Sequence, residues 1–207
     1  MKAALLNKGL YAITPEISVA DVLLNKVEQA LQGGIVLLQY RDKISSAAER
    51  LNRAKALHGL CLKHQVPLII NDDAELALEC GAEGVHLGQS DGSIKRAREL
   101  LGEKAIIGVT CHHQVELAIT AERQGADYVA FGRFFNSRTK PGSPLSDINT
   151  LLKARKKISI PITAIGGITI ENAPPIIAAG ARHIAVIDGV FSQADIKNTC
   201  QVFSSLF

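Results

Sequence analysis

Eight short apolar runs, each followed by a segment of helical periodicity, constrain this chain more than any other feature. The runs lie at residues 10–13, 35–39, 68–71, 84–87, 105–109, 128–131, 162–165 and 183–186. They are continuous rather than alternating, as expected of parallel strands covered on both faces. The intervening segments, 19–31, 47–63, 75–80, 94–101, 115–123, 148–157, 170–178 and 192–203, place apolar residues three and four apart, as in Ala20, Leu23, Leu24, Val27 and Leu31. A glycine follows a predicted helix before the second, fourth, sixth and eighth strands, at Gly33-Gly34, Gly81, Gly125 and Gly180. Glycine there supplies the left-handed residue that ends a helix, and its recurrence suggests a doubled strand–helix module. Eight such units predict an α/β fold, a single (β/α)8 TIM barrel spanning residues 1–207. An open doubly wound sheet is the alternative. Its dinucleotide-binding version is excluded, because no GxGxxG opens the first strand–helix turn.

Composition narrows the function classes. The 207 residues carry 23 Lys+Arg against 20 Asp+Glu, a net charge of +3, with 47% apolar residues. This charge is too small to argue for nucleic acid or an anionic membrane. No stretch approaches the ~18 apolar residues of a membrane helix, and the apolar stretch at the N-terminus is too short for a signal peptide. Cys61, Cys80, Cys111 and Cys200 are scattered without a CxxC pair, as expected of free thiols in the cytoplasm.

Polar residues concentrate where the predicted strands end, the face on which such barrels carry their chemistry. Strand two runs into Gln39-Tyr40-Arg41-Asp42-Lys43, strand three into Asn71-Asp72-Asp73, and strand four into His86-Leu87-Gly88-Gln89-Ser90-Asp91. Strand five ends in Thr110-Cys111-His112-His113, and strand six leads to Asn136-Ser137-Arg138-Thr139-Lys140. Strand seven ends in Gly166-Gly167 and strand eight in Asp188-Gly189. Asp72 and Asp91 close neighbouring strands about 4.8 Å apart, so both can reach one Mg²⁺, an ion usually held by one or two carboxylates with substrate phosphate oxygens and water. Either Asp could instead cap the following helix; Asp73 is the better cap, because Ala74 and Glu75 begin the next helix. Arg41, Lys43 and Lys140 form a second cluster suited to a polyphosphate. With Mg²⁺ and the two carboxylates the set carries about three positive charges, against about three negative ones on a pyrophosphate. Gly166-Gly167 sits where these barrels frequently hold phosphate. His86 reads as a hydrogen-bonded core histidine, and Cys111 as a buried, inert thiol.

In this order and at these strand ends, the motifs resemble those of the thiamine phosphate synthase family from about Tyr11 to Phe191. The resemblance implies a transferase that joins a hydroxymethylpyrimidine pyrophosphate to a thiazole phosphate, releasing pyrophosphate with the help of Mg²⁺. It implies that Gln39, Arg41, Lys43, Asn71, Thr110 and Lys140 hold the pyrimidine pyrophosphate, with Lys43, Thr110 and Lys140 as catalytic residues. Asp72 and Asp91 would bind Mg²⁺, Ser137 and Thr139 would contact the thiazole phosphate, and Gly167, Ile187 and Asp188 would surround its phosphate. Tyr40, Asp42 and Arg138 are counted among the substrate-binding residues with them. Thr110 and Asp188 stand where the family commonly carries Ser. A carboxylate at 188 would repel a phosphate unless it turned away and left backbone N–H groups to bind. The partners expected are the two small substrates; a homo-oligomer is compatible with the chain. Competing readings are a thiazole tautomerase using His112, a non-catalytic sensor of thiamine precursors, and a sugar-phosphate isomerase. The loop at 134–146 is the expected lid.

Overall fold

A computed structural model describes residues 7–136 and 145–207. Ser137, Arg138, Thr139 and Lys140, and most of the expected lid, lie outside the described residues. The apolar runs form eight parallel strands: β1 (Gly9–Ile13), β2 (Leu37–Tyr40), β3 (Leu68–Asn71), β4 (Gly84–Leu87), β5 (Ile106–His112), β6 (Tyr128–Gly132), β7 (Ile162–Ile165) and β8 (His183–Val186). Each pairs with its sequence neighbours, and β1 pairs with β8, closing the barrel. The expected TIM barrel is therefore what the chain forms.

The helices are α1 (Ala20–Gln32), α2 (Ala47–His64), α3 (Ala74–Cys80), α4 (Ile94–Leu101), α5 (Val115–Arg123), α6 (Ile148–Ala154), α7 (Ala173–Ala178), α8 (Asp188–Phe191) and α9 (Ile196–Ser204). Short polar side chains start many of them. Ser46 and Glu49 form a reciprocal cap on α2, while Asp73, Ser93, Asp147 and Asp195 accept from backbone N–H groups at the starts of α3, α4, α6 and α9. Gly34, Gly81, Gly125 and Gly180 carry the positive φ expected where the chain leaves a helix.

Several boundaries differ from the sequence reading. The helix expected at 192–203 is α9, which begins only at Ile196 because Asp195 caps its start, and α8 is a separate four-residue turn ahead of it. The helix expected at 170–178 begins at Ala173, with a proline in its first turn, where a missing N–H is harmless. β5 continues to His112 through a register shift between Thr110 and His112, a local irregularity of the kind that re-aims side chains near sites.

Two apolar layers result from the strand alternation. Leu10, Ala12, Leu38, Tyr40, Leu68, Ile70, Val85, Ile107, Val129 and Ile184 point outward and pack under the helices. Tyr11, Ile13, Leu37, Ile69, Ile106, Tyr128 and Ala185 fill the barrel. Among the described residues no helix is long and apolar enough to cross a membrane.

Candidate active site

A cavity of about 400 Å³ opens at the C-terminal ends of the strands. The same alternation that separates the two core layers decides which predicted residues reach it. Gln39 and Arg41 from β2, Asn71 from β3, Thr110 from β5, Gly167 after β7, and Ile187 and Asp188 after β8 all line it. Tyr40 falls on the other face: it is buried in the outer layer and its hydroxyl donates to Asp42 Oδ2 at 2.9 Å. Asp42 turns the same way, accepting from Ile44 N and Ser45 N at 3.0 Å each and from Arg53 at 3.2 Å. Burial pushes this carboxyl up, but the bonds from Ser45, Ile44 and Tyr40 outweigh it and hold it at about 2. Tyr40 and Asp42 thus anchor the β2–α2 turn and are not brought to the cavity.

Arg41 leaves β2 with its guanidinium 2.7 Å from Glu16 and its N–H on Thr14 Oγ1. Lys43, like Asp72 and Asp91, is not among the residues that line the cavity; its Nζ lies 2.5 Å from Asp72 Oδ2. Asp72 follows Asn71 in a left-handed conformation, φ 65°, which a non-glycine residue adopts only when its surroundings enforce it. Here its N–H is held by His86 O at 2.8 Å.

The Asp72 and Asp91 side chains come within hydrogen-bonding reach of each other. Burial raises both carboxyls. Lys43 and the Asp91 bond nevertheless bring Asp72 below the usual carboxylate range, whereas the Asp72 carboxylate pushes Asp91 further up. Neither residue caps a helix; Asp73 and Ser93 do that. Asp91 instead closes the 88–91 turn, accepting from Gly88 N at 3.0 Å. A Cβ on Gly88 would lie 2.4 Å from Asp91 Oδ2, so glycine is what permits this placement. Among the described residues no group of three or more His, Cys, Asp or Glu side chains gathers as a self-sufficient metal site. A hard, two-carboxylate oxygen donor pair that leaves the remaining positions to substrate and water fits Mg²⁺.

Gly166 and Gly167 serve a purpose beyond the one anticipated from sequence. Both carry positive φ, and a Cβ would come 2.3 Å from Arg133 Cβ at Gly166, or 2.3 Å from Asn136 O at Gly167. The 133–136 segment packs on them and hydrogen-bonds Ile165 O and Gly166 O through Phe134 N and Phe135 N. This brings Arg133 and Asn136 into the cavity wall. Asp188 lies at the mouth as the first residue of α8.

Several lining residues were not anticipated as site residues: Tyr11, His86, Arg133, Asn136 and Thr163; His112, named only for the competing tautomerase reading, lines the cavity too. Gln39 Nε2 donates to Tyr11 OH at 2.7 Å, and Tyr11 OH meets Tyr128 OH at 2.8 Å. His86 joins Tyr128 OH through Nδ1 at 2.9 Å and Thr110 Oγ1 through Nε2 at 2.8 Å. The readable signal was Gly108 inside β5: a Cβ there would meet Tyr128 Cζ at 2.0 Å, so this glycine makes room for the Tyr128 ring. Cys111 is buried and its thiol is pushed up to about 12, an inert group as read from sequence.

The sequence model described as thiamine monophosphate synthase matches residues 10–190. The chain belongs to this family. A thiamine-phosphate synthase from Marinobacter nauticus is 54% identical over 202 residues, covering 96% of this chain and 90% of that protein. The solved thiamine phosphate pyrophosphorylase from Pyrococcus furiosus superposes with a TM-score of 0.87 at 29% identity, covering 99% of this chain and 96% of that one. A 3-hexulose-6-phosphate synthase, at 15% identity and a TM-score of 0.69 over 96% of this chain and 99% of that one, shares the barrel alone. The family inferred from the strand-end motifs is thus confirmed. The transferase function read with it, thiamine-phosphate synthase, is the one on which family, relative and solved structure agree.

Proposed function

We propose that this cavity joins a hydroxymethylpyrimidine pyrophosphate to a thiazole phosphate, with the pyrimidine substrate on the β2–β5 side and the thiazole phosphate on the β7–β8 side. The observation that carries the assignment is the convergence of Gln39, Arg41, Asn71 and Thr110 on one wall, beside the Lys43–Asp72–Asp91 cluster, with Gly167, Ile187 and Asp188 opposite. Asp72 and Asp91 are the residues that would hold Mg²⁺. When bound, the cation supplies positive charge to the diphosphate.

The reaction breaks the bond between the pyrimidine methylene carbon and the pyrophosphate oxygen, whose electron pair leaves with the oxygen. The thiazole nitrogen lone pair then makes the new carbon–nitrogen bond. The aminopyrimidine ring supports cationic character on the methylene, so no general base is required. Arg41, Lys43 and Thr110 place cations and a hydroxyl donor where negative charge develops, and Lys140, which falls between β6 and α6 in the sequence, is assigned to the same task. The ring-binding part of the cavity is apolar where Ile13, Ala130, Ile165, Ile168 and Ala185 line it, which excludes water from a reactive carbon. Positioning of the nucleophile supplies the rest of the rate.

A tautomerase or a phosphate-sugar isomerase would have no use for the Lys43–Asp72–Asp91 cluster. The four buried free thiols support a cytoplasmic setting. Mixing both phosphorylated substrates with Mg²⁺ should release one pyrophosphate per thiamine phosphate formed. Tight binding of both without release would identify a sensor instead.

A further inference from the structure

The inner layer of the barrel is apolar along Ile13, Leu37, Ile69 and Ile106, yet one continuous polar line crosses it. It runs from Gln39 through Tyr11, Tyr128 and His86 to Thr110, with successive separations of 2.7, 2.8, 2.9 and 2.8 Å. Five strands contribute one residue each. Tyr11 and Tyr128 are almost wholly buried. Burying hydroxyls and an imidazole where Ile or Leu fills the neighbouring positions is unfavourable unless every group is satisfied. Both ends of the line, Gln39 and Thr110, are cavity-lining residues. A network placed only to satisfy itself has no need to begin and end at the site.

Hydrogen counting gives the line one self-consistent direction that begins with the Gln39 amide. Gln39 Nε2 donates to Tyr11; with the single hydroxyl hydrogen of Tyr11 given to Tyr128, the line runs one way. The hydrogen of Tyr128 goes to His86 Nδ1. An imidazole accepting at Nδ1 carries its own hydrogen on Nε2 and gives it to Thr110 Oγ1. The Thr110 hydroxyl hydrogen is then turned away from His86, into the cavity. At the other end, committing Nε2 to Tyr11 turns the Gln39 carbonyl oxygen toward the ligand.

We propose that Tyr128, acting with Tyr11 and His86, is a positioning residue that fixes Thr110 as a hydrogen-bond donor and Gln39 as an acceptor toward the pyrimidine pyrophosphate. This rests on the reading of Thr110 and Gln39 as contacts of that substrate. An acceptor at Gln39 matches an exocyclic amino group, and a donor at Thr110 matches a diphosphate oxygen. The pairing would reject a pyrimidine carrying a carbonyl in place of the amine.

The test uses the full chain with Tyr128→Phe, which removes one oxygen and keeps the ring that Gly108 accommodates. Turnover should fall about tenfold and KM for the pyrimidine substrate should rise, while KM for the thiazole phosphate stays put. In a Thr110→Val background Tyr128→Phe should cost clearly less than in the parent, because one of the two groups it orients is gone. Nitrogen-15 NMR of the His86 ring should show the Nε2–H tautomer in the parent and a mixture in Tyr128→Phe. An equal loss from Tyr128→Phe in both backgrounds would show a merely structural role and overturn the proposal, as would an Nδ1–H tautomer in the parent. Thr110→Val leaving turnover unchanged would instead overturn the substrate contact on which the proposal rests, and the tautomer measurement tells that failure from a failed relay. Should Tyr128→Phe not fold, His86→Gln, which keeps a donor and an acceptor, should retain more turnover than His86→Leu. Equal turnover in those two would overturn the proposal.

Discussion

Gly88→Ala isolates the geometry of the carboxylate pair without removing either carboxylate. The new methyl group would stand 2.4 Å from Asp91 Oδ2, whereas ordinary contact begins near 3.4 Å. The carboxylate must therefore retreat by about 1 Å, a displacement that at a catalytic centre can cost about a hundredfold in rate. The retreat also breaks the 3.0 Å bond from Gly88 N that orients Asp91, and losing such an orienting bond typically weakens metal binding by ~10–100-fold. The fold should survive, because the clash is with the end of a side chain on an exposed turn. The assay is pyrophosphate release as a function of Mg²⁺ concentration. The half-saturating Mg²⁺ level should rise by ~10–100-fold, with turnover recovering toward the parent value at high Mg²⁺ and the thermal midpoint nearly unchanged. Gly59→Ala in α2, where nothing lies within 4 Å of the added methyl, is the control and should leave the Mg²⁺ curve where it was. Superimposable Mg²⁺ curves for Gly88→Ala and the parent would refute the assignment of Asp91 as a ligand.

Three further outcomes are expected. Lys43→Ala should lower turnover by about a hundredfold, equivalent to roughly 3 kcal/mol of lost charge stabilisation, with little change in the unfolding midpoint because Lys43 is exposed; steady-state kinetics alongside thermal melts would check both halves. Asp188→Ser should leave or improve affinity for the thiazole phosphate, measured by calorimetry, and a large loss would reveal a positive role for this carboxylate at the cavity mouth. Asp42→Asn should remove about 2 kcal/mol of stability at neutral pH. The folded carboxyl sits at about 2, below its ordinary 3.8, so its contribution is complete above about pH 4 and fades as pH falls through 2. Urea unfolding of parent and variant should therefore converge toward pH 2, and parallel curves down to that pH would contradict the buried-anchor role.

Much of the site was legible because a strand end is a sequence position before it is a place in space. Once the eight apolar runs were recognised, Gln39, Asn71, Asp72, Asp91 and Thr110 had to emerge at one end of whatever parallel sheet they formed. Within a motif, however, consecutive residues go to opposite faces. Gln39 and Arg41 face the cavity, while Tyr40 and Asp42 turn the other way, Tyr40 donating to Asp42 and Asp42 held by Arg53. Residue type gave no warning of this, because Asp42 is as polar as the residues that reach the site. Tyr11 and Tyr128 were hidden for the converse reason: lying within apolar runs, they look like core, and only the partnership of their hydroxyls across the barrel sets them apart.

The order of the strands, the faces of the helices, the caps and the glycine breaks follow from local physics and could be read along the chain, because each depends on residues within a turn or two of one another. Barrel closure, by contrast, sets residues 117 positions apart, Tyr11 and Tyr128, at hydrogen-bonding distance. Pairing of β6 with β7 packs the 133–136 segment onto Gly166 and Gly167. Those contacts depend on register and on how side chains fill the interior of the closed barrel, quantities that no stretch of sequence carries by itself.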